Sequence, residues 1–134
     1  AVNDKSFLIV SETNYAFAGL ACNWIKSVTR QIGEAAAKKA IVIYVTGQKG
    51  EEAREILQSC SGGTLRGVFL HDAEAPATAE QWGTKGYFKS TTLKPKHMFE
   101  AFQLAQSLGF QHMMFNDVDV AWKADLRKTA PRVD

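Results

Sequence analysis

Asp117 and Asp119 stand on either side of Val118, directly after the apolar run Met113-Met114-Phe115 and before Val120 and Trp122. A short continuous apolar run reads as a buried strand, entered here at His112. If the backbone stays extended through the triplet, side chains alternate. Both carboxylates then project to one side, with Val118 and Val120 on the other. Two carboxylates aimed together offer the hard oxygen ligands that suit Mg²⁺ or Mn²⁺. Such an ion, held by one or two carboxylates, completes its shell with water and substrate phosphates. A D-x-D triplet alone is a common pattern, and its plain alternative is a solvated turn at a strand end.

The elements that must position these acids can be read from the N-terminal end. Residues 6–10 form a continuous apolar run, the pattern of a strand covered on both faces. Ser11-Glu12-Thr13-Asn14 follows with three cap candidates, and Phe17, Leu20, Ala21, Trp24, Val28 and Ile32 then recur at helical spacing as far as Gly33. Strand, polar turn and helix make a βα unit. Ligands of open α/β sheets sit beyond the carboxyl ends of strands, so Ser11, Thr13 and Asn14 either face a ligand or only cap the helix. Residues 40–45 are a second, β-branched strand, broken by Thr46-Gly47-Gln48-Lys49-Gly50. Ala53, Ile56, Leu57 and Cys60 define the apolar face of the next helix, which Ser61-Gly62-Gly63 ends.

A third strand at residues 67–70 runs into His71-Asp72, a metal-binding or proton-shuttling pair or simply a loop pair. Residues 73–90 read as a long loop or lid in which Trp82, Tyr87 and Phe88 cover the core or stack on a base or sugar. Lys94-Pro95 then opens a helix, capped by Thr91 or Thr92, with Met98, Phe102, Ala105 and Leu108 as its buried stripe. Lys94 at that N-terminus would meet a phosphate or solvent. The alternation of strands and helices predicts an α/β three-layer α/β/α fold, Rossmann-like, with a mostly parallel and incomplete sheet flanked by helices on both faces.

A length of 134 residues suits one domain, and 46% hydrophobic with 22% charged residues is ordinary globular composition. A net charge of +2 with interspersed signs gives no footprint for nucleic acid. Lys123, Arg127, Lys128 and Arg132 are the sole local excess of charge, read as a solvated basic tail over residues 127–134 rather than a phosphate patch. No apolar run reaches the length of a membrane span. The start at Ala1 fits a product whose targeting segment has been removed. Cys22 and Cys60 lack metal-ligand spacing. A disulfide between them requires an oxidising compartment, and their place on apolar helix faces favours buried free thiols.

The run Phe115-Asn116-Asp117-Val118-Asp119-Val120-Ala121-Trp122, preceded by Leu108-Gly109-Phe110, resembles the signature of the GT-A type nucleotide-diphospho-sugar transferases. In particular it is similar to the plant and algal family of retaining xylosyl-, galactosyl- and arabinosyltransferase-like proteins. The match continues upstream through Tyr87-Phe88, Thr91, Thr92 and Lys94, and more loosely to Asn23-Trp24-Ile25-Lys26-Ser27. This resemblance implies a nucleotide-diphosphate sugar across residues 11–14, with Ser11, Thr13, Asn14, Lys94 and Asp117 at the nucleotide. It implies Mn²⁺ or Mg²⁺ between the acids and the diphosphate, with Asp119 as a direct ligand and Asp117 acting through water or on the ribose. It also implies residence in the Golgi or another lumen, and an acid near the end of the second strand, where this chain has none. The acceptor half of such a transferase and its metal-completing His follow the D-x-D; here the sequence reaches Asp134, and His71, His97 and His112 all precede the acids.

Two functions are therefore expected. One is a glycosyltransferase-like domain that binds its donor through a metal at Asp117-Val118-Asp119. The other is a non-catalytic, truncated or repurposed subunit of a larger assembly, with protein partners covering an open sheet edge. A flavodoxin-like nucleotide-binding domain shares the βα pattern but gives no reason for the acid pair.

Overall fold

The computed structural model describes residues 7–71 and 85–129, with side chains for residues 7–71 and 94–128. Asp72, Trp82 and Arg132, and the side chains of Tyr87, Phe88, Thr91 and Thr92, lie outside the described residues. The chain runs β1 (Phe7–Asn14), a 3-10 turn (Tyr15–Phe17), α1 (Ala18–Ile32), α2 (Glu34–Ala40), β2 (Ile41–Thr46), α3 (Gly50–Ser61), β3 (Gly67–His71), α4 (Lys85–Ser107), β4 (His112–Asn116) and α5 (Leu126–Thr129). The four strands form one sheet in the order β3-β2-β1-β4, every pair parallel. This is the expected Rossmann-like α/β architecture.

Alternation along β1 sorts the core into two layers. Phe7 and Ile9 join Ile41, Ile43 and Val45 of β2 against Trp24, Ile25, Val28, Ala37, Ala53 and Leu57. Leu8 and Val10 join Val42 and Tyr44 against Ala101 and Ala105 of α4. Helices α1, α2 and α3 thus cover one face and α4 the other. Each fully buried aliphatic such as Ile9 or Leu57 contributes about 1.5–3 kcal/mol relative to exposure.

Several boundaries differ from the sequence expectation, each for a physical reason. β1 does not stop at Val10: its polar end stays in the sheet because β2 pairs with it as far as Asn14↔Thr46. Asn14 then accepts from the backbone N–H of Phe17 at 3.2 Å and caps the 3-10 turn. The short helix α2 sits between Gly33, at φ 89°, and the second strand. Helix α4 begins at Lys85, so Pro95 lies inside it and residues 85–90 are helical, not loop. Pro95 has no N–H for the carbonyl four residues back, a local weakness that neighbouring packing must offset. Met98, Phe99 and Phe102 turn outward on α4, while His97, Ala101 and Ala105 face the sheet. Of the expected stripe only Ala105 is buried; Met98, Phe102 and Leu108 are exposed, and His97 and Ala101 face the core in their place. β4 is half-buried throughout, as an outer strand of the described sheet.

Cys22 of α1 and Cys60 of α3 form a disulfide, which corrects the expectation of two free thiols. Facing positions on packed helices bring their Cα atoms to 6.0 Å, within bonding range. Closing a loop of sequence separation 38 restricts the unfolded chain. Reduction, or replacement of both cysteines by serine, should lower unfolding free energy by about 2–4 kcal/mol. Denaturant curves with and without reductant measure this, and coincident curves would refute the bond.

Candidate functional site

The order β3-β2-β1-β4 places a topological switch point between β1 and β4: from β1 the chain moves to β2 and β3 on one side, then returns to β4 on the other. Open α/β sheets bind ligands in such a crevice, outside the carboxyl ends of the strands. Pairing of β1 with β4 ends at Ser11↔Asn116, whereas β1 runs on to Asn14. Glu12, Thr13 and Asn14 therefore overhang β4, and Asp117 to Asp119 leave β4 beside them.

The acid-bearing loop is held at its root. Ser11 is fully buried and its hydroxyl donates to the carbonyl of Asn116 at 2.5 Å. The Asn116 side-chain oxygen accepts from two indoles, Trp122 Nε1 at 2.8 Å and Trp24 Nε1 at 3.3 Å. Trp122 returns to the core, where its backbone N–H donates to Ser27 Oγ at 3.0 Å, and that hydroxyl donates to the carbonyl of Trp24 at 2.7 Å. Residues 116–122 are thus a closed loop pinned to α1 at both ends. Just beyond it, Arg127 chelates Asp125 with Nε at 2.9 Å and Nη2 at 2.8 Å. Arg127 is buried, not part of a solvated tail.

The triplet itself is a turn at Val118 and Asp119, so the expectation of extended, alternating backbone is corrected. Val118 packs on the larger core layer, whereas Val120 is exposed. Burial of Val118 and the return of Trp122 bend the chain, and both acids reach solvent by the turn instead of by strand alternation.

Of the residues singled out in the sequence, Asn14, Lys94, Asp117 and Asp119 lie at or beside the crevice. Lys94 Nζ meets Asp117 Oδ1 at 2.5 Å, with Nζ also 5.8 Å from the Phe115 ring centroid. Asp119 is exposed and has no partner among the described residues. Ser11 and Thr13 are buried: Ser11 ties β4 to β1, and Thr13 donates to the carbonyl of Asn14 at 3.2 Å.

A second group lies beneath α4; of its members only His71 stands out in the sequence, as half of the His71-Asp72 pair, whereas Glu12, Tyr44, His97 and Glu100 do not. His97, wholly buried, bonds Glu12 Oε2 through Nδ1 at 2.5 Å and stacks on Tyr44 at 5.5 Å. His71 approaches Glu100, Nε2 to Oε2, at 3.6 Å and lies against Tyr44. Burial, and secondly the Glu100 charge, push the Tyr44 hydroxyl above its ordinary pKa. Two signals pointed to this group: Glu12 falls in the inward register of Leu8 and Val10, and His97 stands one helical turn after Lys94.

Carboxylate oxygens are the donor type that hard divalent cations take. Among the described residues no group of three or more His, Cys, Asp and Glu could hold a metal, so Asp117 and Asp119 would need ligand phosphates and water to complete a shell. Among the described residues, too, no helix is long and apolar enough to cross a membrane.

The fold is Rossmann-like α/β, and sequence similarity to plant glycosyltransferases supports a glycosyltransferase-like domain. The chain is 26% identical over 118 residues to "UDP-D-xylose:L-fucose alpha-1,3-D-xylosyltransferase 3" of Arabidopsis thaliana, a match that covers 88% of this chain and 27% of the relative. It is 29% identical over 121 residues to the Arabidopsis thaliana "UDP-D-xylose:L-fucose alpha-1,3-D-xylosyltransferase" and to the protein of that name numbered 1, covering 88% of this chain and 28% and 29% of the relatives. The chain thus spans little more than a quarter of the length of these relatives. No protein-family model and no solved structure matches it.

Asn116→Leu should leave the Trp122 and Trp24 indoles without their acceptor and cost about 1–3 kcal/mol in urea unfolding; an unchanged midpoint would contradict the pinned loop. Asp125 supplies a pH test. The Arg127 guanidinium, by hydrogen bonds to the carboxylate, holds it below the usual carboxylate range, with Lys128 adding to the effect and partial burial opposing it. A lowered folded pKa gives stability that is complete above the unfolded value and lost as pH falls through the folded one. The stability gap between wild type and Asp125→Asn should be full at neutral pH and shrink below about pH 4. A gap that widens in acid would refute this sign.

Proposed function

We propose that this chain is the donor-binding part of a UDP-sugar-dependent glycosyltransferase. The single observation that carries the reading is the placement of Asp117 and Asp119 at the β1/β4 switch point, with the cationic Lys94 on Asp117. Likeness to relatives named for UDP-D-xylose favours a uridine nucleotide and a pentose as donor.

Asp119 would hold Mn²⁺ or Mg²⁺ directly and Asp117 by one oxygen or through water. The ion, when bound, supplies Lewis-acid stabilisation of charge on the departing diphosphate. This chain's own residues bind and orient. Lys94 passes from Asp117 to a phosphate oxygen, adding positive charge where negative charge develops. Asn14 meets the nucleoside end of the donor, and the pinned loop of residues 116–122 keeps the two carboxylates from spreading.

Thermal or chemical unfolding with Mn²⁺ and each of UDP, GDP and ADP tests the reading. A ligand at a hundredfold its Kd adds about 2.7 kcal/mol. UDP with Mn²⁺ should stabilise the wild type by this order and leave Asp119→Ala unchanged. Equal effects on both proteins, or none on the wild type, would reject it.

A further inference from the structure

Glu12 is an unusual residue for its place in the sheet. It follows Leu8 and Val10 in the α4-facing register of the central strand β1, yet it is a carboxylate. His97 holds it: Nδ1 lies 2.5 Å from Oε2, and the imidazole is fixed by complete burial and by its near-parallel stack on Tyr44. A carboxylate in this contact only accepts, so Nδ1 carries the proton. A carboxylate has about four acceptor positions, and the His97 contact is the sole hydrogen bond of Glu12 among the described residues. With 21% of its side chain exposed, Glu12 has acceptor capacity that a ligand can reach.

Its position says which part of a ligand would come there. Glu12 is the first residue of β1 beyond the end of β4, because Asn116 pairs with Ser11. It shares a face with Asn14 and looks across to α4, where His97 follows Lys94 by three residues. Residues at that spacing are stacked one turn apart, with Cβ atoms separated by about 5–6 Å. The crevice therefore presents a cation, Lys94, on one turn of α4 and, at the next turn, the anionic acceptor Glu12 of β1 held by His97. Phosphates need the first and hydroxyl groups the second. In a nucleoside diphosphate the ribose is joined to the phosphates through a single oxymethylene link, so a nucleotide with its phosphates at Lys94 and its ribose turned inward would meet Glu12 with its hydroxyls.

We infer that Glu12, positioned by His97, accepts hydrogen bonds from the ribose hydroxyls of the donor nucleotide and makes the site selective for ribonucleotides. This rests on the donor-binding reading above. A site built to bond a hydroxyl rejects the analogue that lacks it, because the acceptor is then left desolvated and unpaired.

Calorimetric titration of the whole chain, with Mn²⁺ present, by UDP, 2′-deoxy-UDP and 3′-deoxy-UDP tests this in the wild type and in Glu12→Gln. The wild type should bind UDP about tenfold or more tighter than at least one deoxy analogue, the scale of a hydrogen bond to a charged group. In Glu12→Gln, which keeps the side chain's size and a polar contact for His97, that ratio should fall to within about twofold. The ratio reports on the ribose contact even if overall affinity drops. Equal binding of all three ligands by the wild type, or an unchanged ratio in the variant, overturns the inference while leaving donor binding intact. A wild type that binds none of them overturns both readings together.

Discussion

The pairing of β1 with β4 ends at Ser11↔Asn116, and the rest of the site depends on how that end is sealed. A parallel pair that stops short leaves backbone groups and side chains of the longer strand beyond its neighbour. Here the seal is a set of directed bonds: the Ser11 hydroxyl on the Asn116 carbonyl and two indoles on the Asn116 amide oxygen. An amide oxygen has two lone pairs, and two N–H donors use both. The following loop therefore departs in one direction, and Trp122 brings it back to the core through Ser27. Apolar burial of Trp24 and Trp122 supplies the stability of this corner, and the polar bonds supply its shape.

Helix α4 completes the site from the opposite face. It runs from the carboxyl ends of the strands towards their amino ends, so Lys94 and His97 lie at the crevice and Ala101 and Ala105 at the core. Lys94 meets Asp117 at the rim, His97 meets Glu12 one turn further in, and Ala101 and Ala105 pack on Leu8 and Val10 below. Polarity thus falls along one helix face in step with depth. The two acid–base contacts differ in consequence. The Lys94–Asp117 pair is solvent-exposed enough, at 38% and 61%, to exchange partners at little cost. The His97–Glu12 pair, with its imidazole fully enclosed, is set in place when the chain folds.

How much of this was legible in the sequence follows from what each signal measures. Apolar runs at residues 7–10, 41–45 and 67–70 and helical periodicity in α1 and α3 gave the parallel α/β class, because burial on both faces leaves a compositional mark. The acids at 117 and 119 stood out for the same reason, as charge ending an apolar run. Their conformation did not, since the bend at Val118 is imposed by packing and by Trp122, partners distant in space. The polar end of β1 looks like a turn because Ser11, Thr13 and Asn14 are all cap-type residues and Glu12 and Asn14 are poor strand formers; pairing with β2 overrides this. Pro95 mimicked a helix start, and only tertiary context places it inside α4. Cys22 and Cys60 each look like a buried apolar residue within their own helix, and their bond depends on how α1 meets α3. Glu12 and His97 are 85 residues apart, and nothing local marks them as a pair.

Backbone amide NMR with UDP and substoichiometric Mn²⁺ tests most directly whether nucleotide and metal meet at the β1/β4 switch point. Paramagnetic broadening falls steeply with distance from the ion. With both ligands at the switch point, signals of residues 12–14 and 116–120 and of the α4 turn around Lys94 should vanish first, while α2 and the amino ends of the strands remain sharp. Broadening centred instead on the surface groove of Tyr15, Glu52 and Glu55 beside α3, or spread evenly over exposed carboxylates, would contradict it.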